Sequence, residues 1–163
     1  PANPLADFGV IEPKTHMAAP GFLLNDTQGD TIKLSDHGGE VVLLHFWATW
    51  CIPCRKEMPA LMKVQDEYRD QGLTVLYVNV DRGSREVVAD FMDGVGLSLS
   101  TLLDPDGKVR NLYEVVALST TYIIGRDGKI IGRIIGERDW SGAEASAALH
   151  ALLGTKREGQ RGK

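Results

Sequence analysis

Val41-Val42-Leu43-Leu44-His45-Phe46-Trp47 runs directly into Ala48-Thr49-Trp50-Cys51-Ile52-Pro53-Cys54, and this stretch holds both cysteines of the 163-residue chain. Seven residues of apolar character without alternation predict a strand buried on both faces. The residues after it, from about Pro53 to Tyr68, recur at helical spacing through Met58, Leu61, Met62, Gln65 and Tyr68. Pro53 suits an early helical position, where its missing N–H costs nothing. Pro59 falls inside the same helix, where a kink is expected. The strand therefore delivers two thiols, three residues apart, to the start of a helix.

That placement points to chemistry rather than to a staple. A bridge over two intervening residues closes too small a loop to add much by chain entropy. The thiolate is the nucleophile in disulfide exchange, and the free N–H groups and dipole at a helix N-terminus favour a negative sulfur. Cys51, at or just before the first helical position, is thus the expected nucleophile. Cys54, one turn on, is the expected resolving thiol. Pro53 stiffens the turn between them, and Arg55 and Lys56 add positive charge nearby. A zinc site usually needs four ligands. There is no second cysteine pair, and His16, His37, His45 and His150 are scattered without ligand spacing. Arg55 follows the second cysteine where covalent haem attachment needs a histidine. Neither a metal nor a cofactor is expected.

Two neighbours carry further readings. His45 shares a strand face with Val41, Leu43 and Trp47, so it is expected to be buried and uncharged near neutral pH. A core histidine held by one hydrogen bond and a proton relay beneath Cys54 carry equal weight. Trp50 reads either as local packing or as a flat apolar contact for a partner protein.

The rest of the chain is consistent with one domain. Hydrophobic residues make up 43% and charged residues 25%, ordinary values for a globular chain. A net charge of −4 offers no basic excess for nucleic acid. No stretch approaches the ~20 apolar residues that span a bilayer. Residues 1–19 read as a surface arm, 20–154 as the folded domain, and 155–163 as a charged flexible tail. Phe22-Leu23-Leu24 and Thr31 to Leu34 read as a hairpin, and Leu73 to Val80 as a second buried strand. Ser84 caps a helix whose Val87, Val88, Phe91, Met92 and Val95 share a face. Leu97 to Leu103 reads as a short strand or extended loop, and Lys108 to Tyr113 as a short helix. Thr121 to Ile124 and Lys129 to Ile135 flank Gly125-Arg126-Asp127-Gly128, a second hairpin. Ser141 opens a capping box with Glu144 ahead of the last helix.

Phe46-Trp47-Ala48-Thr49-Trp50-Cys51-Ile52-Pro53-Cys54, followed by Glu57, Pro59 and Leu61, resembles the thioredoxin superfamily. More narrowly it resembles the TlpA/ResA/CcmG group of extracytoplasmic thiol–disulfide oxidoreductases. The likeness runs from about Ala19 to Leu153 and takes in Asn79-Val80-Asp81 and Thr120-Thr121-Tyr122-Ile123-Ile124. It implies an α/β thioredoxin-like fold: a central mixed sheet flanked by helices, with an N-terminal hairpin and a βα insert. It also implies a reductant of protein disulfides, commonly in apocytochrome c maturation, supplied by a membrane thiol donor. The expected location is periplasmic or otherwise extracytoplasmic, with an anchor or leader removed from this chain, and a monomer is expected. A thiol peroxidase and a redox-silent module that docks partner proteins are the competing functions.

Two departures from the group stand out. His45 occupies the place of a buried acidic residue in thioredoxins, and Asp81 is the nearest acidic candidate by sequence. Ser119 stands where the family has a cis-proline, between Leu118, which the resemblance pairs with the substrate backbone, and Thr120. A non-proline cis bond costs roughly 2.5–4 kcal/mol, so a trans Leu118–Ser119 bond and a reshaped loop are expected. Three alternative consequences rank in this order: a longer-lived mixed disulfide, or simply slower turnover, or, last, capture of a soft metal between two chains.

Overall fold

The structure, a computed structural model, describes residues 2–154, so the expected tail lies outside the described residues. Strand β3, Val41–Trp47, is buried at all seven positions, which explains its lack of alternation. It is the middle of a five-stranded sheet that also contains β4 (Leu73–Asn79), β5 (Leu102–Leu103), β6 (Thr120–Ile124) and β7 (Ile130–Ile135), in the order β5-β4-β3-β6-β7. β3, β4 and β5 run parallel, whereas β6 and β7 run antiparallel to their neighbours. The expected mixed sheet and the insert that supplies β5 are both present. β1 (Leu23–Asn25) and β2 (Thr31–Lys33) form the separate N-terminal hairpin. Its turn is held by Asp26 Oδ1, which accepts from the N–H groups of Gln28 and Asp30 at 2.9 Å each.

Helix α2, Ile52–Tyr68, continues through Pro59 and buries Cys54, Met58, Leu61, Val64 and Tyr68 on one stripe. Helix α3, Arg85–Gly94, is capped by Ser84, whose Oγ accepts from Val87 N at 3.3 Å. Its buried face is narrower than expected. Only Val88 and Met92, four apart, are buried, while Val87 and Val95 are exposed. A short helix α4 follows over Lys108–Leu112.

Two expectations are corrected. The N-terminal residues are more than a surface arm. After helix α1 (Pro4–Asp7), Phe8 and Val10 enter the core, and Phe8 meets the edge of the Trp140 ring at 4.9 Å. Ile11 then exchanges backbone hydrogen bonds of 2.8 and 3.0 Å with Arg133, and Met17 O accepts from Ile130 N at 2.8 Å. The segment thereby covers the open edge of β7, whose unpaired backbone groups need partners. Gly132 permits this approach, because a Cβ there would lie 2.6 Å from Val10 and 2.8 Å from the Ile11 carbonyl. The capping box of the last helix, α5 (Ala143–Leu153), is also absent: its N-cap is Gly142 with no side-chain bond. Ser141 lies one residue before the N-cap, outside capping position, and donates its hydroxyl to Asp139 Oδ1 at 2.6 Å.

Candidate functional site

The C-terminal end of β3 opens onto Ala48-Thr49-Trp50, and Cys51 follows as the N-cap of α2 with extended φ and ψ of −93° and 99°. Asp81, just past β4, holds this loop. Its carboxylate accepts from Thr49 N and Thr49 Oγ1, both at 2.8 Å, and from Asn79 Nδ2 at 2.7 Å. The acid that follows the neighbouring strand is therefore a clamp on the loop that carries the dithiol. Trp47 is anchored beside it by an Nε1 bond to Thr101 Oγ1 at 2.9 Å.

Cys51 and Cys54 are joined as a disulfide, with Cα atoms 5.4 Å apart. Cys51 retains 8% exposure, whereas Cys54 has 0% and lies under the helix, its Sγ 3.9 Å from the Phe46 carbonyl. The two sulfurs thus differ in access, and the one at the helix start is the reachable one. Pro53 occupies the first turn of α2, as expected. Trp50 and Ile52 stand exposed on either side of Cys51, at 67% and 57%. The Arg55 guanidinium lies 5.1 Å from the Phe91 ring centroid and donates to the Thr49 carbonyl at 3.5 Å.

His45 is completely buried. Nδ1 pairs with Thr121 Oγ1 at 3.0 Å on the neighbouring β6, and the ring meets Tyr77 edge-on at 6.2 Å on β4. Burial pulls its pKa down to about 4, with the Cys54 main chain opposing that shift. Among the described residues, Nε2 nevertheless has no hydrogen-bond partner, and neither does the Tyr77 hydroxyl. The histidine is neutral at physiological pH, with one nitrogen committed and one free.

Sequence reasoning assigned no role to Glu57, the most unusual group of the site. It sits on α2 three residues beyond Cys54 and is 3% exposed. It accepts from the Ser119 hydroxyl, from Trp140 Nε1 at 2.8 Å and from Arg138 N at 3.1 Å. Burial pushes its pKa above the ordinary carboxylate value, and those three donors pull against the rise. The signal was present in the spacing, since position 57 falls on the buried stripe with 54, 58 and 61.

The loop opposite the dithiol is set by register. Thr120 pairs with Phe46, so Leu118-Ser119-Thr120 lies at the end of β3 from which the cysteine segment emerges. No cis peptide bond occurs among the described residues, and Leu118–Ser119 is trans as expected. Ser119 is buried with a left-handed φ of 58°. Leu118 is half-buried, and Thr120 donates its hydroxyl to Ala117 O at 2.6 Å. Among the described residues, no three His, Cys, Asp or Glu side chains gather as a metal site.

Comparison with known proteins places this geometry in context. Residues 16–133 match the AhpC/TSA family. The chain is 40% identical over 118 residues to the thiol-disulfide oxidoreductase ResA of Bacillus subtilis (strain 168), covering 72% of this chain and 65% of that relative. The match therefore spans just under two thirds of that relative's length. Among solved structures, the chain is similar to a putative thiol:disulfide interchange protein DsbE from Chlorobium tepidum. That likeness has a TM-score of 0.78 and 33% identity, and it covers 86% of this chain and 99% of the other. It is also similar to the pneumococcal exposed lipoprotein thioredoxin Etrx1 from Streptococcus pneumoniae strain TIGR4. There the TM-score is 0.71 with 29% identity, over 82% of this chain and 98% of the other. With its thioredoxin-like fold and its cysteine pair at the start of α2, the chain belongs to the AhpC/TSA family and has the ResA thiol–disulfide oxidoreductases among its relatives.

Proposed function

We propose that this protein reduces disulfides in other proteins, with Cys51 as the attacking thiol and Cys54 as the resolving one. The observation that carries this reading is the unequal access of the two sulfurs: Cys51 caps α2 and reaches solvent, and Cys54 is fully buried one turn on. In the reduced protein, the Cys51 thiolate attacks one sulfur of a substrate disulfide, and the substrate's second sulfur leaves as a thiolate. Cys54 then attacks Cys51 Sγ, closes the Cys51–Cys54 bond and releases the substrate dithiol. Two electrons pass to the substrate, and a membrane thiol donor returns them. The likeness to ResA-type and DsbE-type proteins supports an extracytoplasmic setting and a substrate of the apocytochrome c kind, whose cysteines must be reduced before haem attachment. The protein acts as a monomer whose exposed Trp50 and Ile52 meet the substrate chain. No described helix is long and apolar enough to cross a membrane.

The test uses a peptide carrying an oxidised Cys-x-x-Cys-His segment. The Cys54→Ser variant should hold the peptide on Cys51 as a mixed disulfide, and Cys51→Ser should not. Peptide held on Cys54 in the Cys51→Ser variant, or reduction of peroxide in place of the peptide, would overturn the reading.

A further inference from the structure

Three segments meet at one buried carboxylate. Glu57 belongs to the helix that carries Cys54. Its Oε1 accepts from Ser119, just before β6, and its Oε2 accepts from Trp140 Nε1 and Arg138 N, between β7 and α5. Ser119 is itself tied on the other side, its carbonyl accepting from Gly136 N at 2.8 Å. Serine and carboxylate are 1% and 3% exposed, so water cannot replace a lost donor cheaply. The left-handed backbone at Ser119 is unfavourable for a residue with a Cβ, and the hydroxyl bond is a contact that holds it there. A proline at this position has no hydroxyl and could not make the bond.

We propose that Ser119 is a positioning residue: its hydroxyl, through Glu57, fixes the Leu118–Thr120 loop to the helix bearing Cys54 and so shapes the groove in which a protein substrate meets Cys51. This rests on the oxidoreductase reading for the groove, but the clamp itself does not. Few charges bear on Glu57. Glu137 opposes its ionisation, and the Arg138 side chain is directed to the Phe8 and Glu137 carbonyls, leaving only its N–H on the carboxylate. From α2, the cysteine pair adds a titrating neighbour only when reduced.

Trp140 supplies a reporter, because its indole N–H donates to Glu57. In the oxidised full-length protein, the indole 1H–15N resonance, assigned with Trp140→Phe, should titrate with Glu57, and the titration should vanish in Glu57→Gln. Ser119→Ala and Ser119→Gly should both raise the proton affinity of Glu57 roughly ten-fold, the worth of one charge-assisted hydrogen bond. Glycine separates the two contributions of Ser119, since it relieves the left-handed backbone while removing the hydroxyl. A Ser119→Gly titration that matches the parent, or one that survives in Glu57→Gln, overturns the clamp.

In turnover, both Ser119 variants should lose roughly ten-fold more kcat/KM on oxidised insulin than on a small aromatic disulfide, mainly through KM. Equal losses on the two substrates overturn the groove. A parent protein that exchanges with neither overturns the oxidoreductase reading and the groove together, while the indole titration still decides the clamp.

Discussion

Replacing His45 with asparagine should remove a specific acid sensitivity from the fold. The ring is fully buried and its pKa is lowered from 6.5 to about 4. In the unfolded chain it regains its ordinary value, so between these limits the unfolded state binds more protons than the folded one. Stability from this group is therefore complete above the unfolded value and is lost as the pH falls toward 4. Roughly 2.5 pH units at about 1.4 kcal/mol each give a loss of about 3 kcal/mol. Glu57 has the opposite sign, because its raised pKa adds stability on acidification, but it is common to both proteins and cancels in the comparison. Urea unfolding of the oxidised protein, followed from neutral pH down to about pH 4, supplies the measurement. The parent should lose about 3 kcal/mol more than His45→Asn over that range. Parallel curves would refute the reasoning, because they would mean the ring protonates as readily inside the protein as outside it.

Phe8→Ala should destabilise by about 3 kcal/mol in urea, the cost of emptying a buried aromatic site packed on Trp140. A true surface arm would lose almost nothing. Asp81→Ala should cost about 2 kcal/mol and speed hydrogen exchange at the Thr49 amide, since three bonds to one carboxylate hold that loop. An unchanged Thr49 exchange rate would show that the loop is held by something else.

The features that organise this fold were legible because they are local. A short unbroken apolar run rich in β-branched and aromatic residues predicts a strand buried on both faces, and β3 is that strand. The two cysteines with a proline between them, followed by a helical period, placed Cys51 at a helix start, where it is found. The misses concern partners distant in sequence. Phe8 finds its place against Trp140, 132 residues away by the numbering, and no local pattern announces such a contact. Glu57 finds donors at Ser119, Arg138 and Trp140, so its role depends on two loops that only the sheet brings together. The capping motif at Ser141 was misplaced because the helix starts one residue later, with Gly142 as its N-cap, and Ser141 gives its hydroxyl to Asp139. His45 was readable as buried from its strand position, but the free Nε2 follows from what lies across β6 and under α2.

The central claim is that this dithiol gives electrons to protein disulfides. It is tested most directly by the midpoint potential of Cys51–Cys54, measured by thiol alkylation in dithiothreitol or glutathione redox buffers. A reductant of this kind should titrate near −270 mV or lower, roughly the thioredoxin end of the scale. A midpoint near about −120 mV would contradict the account, since a pair so oxidising donates its disulfide instead of its electrons.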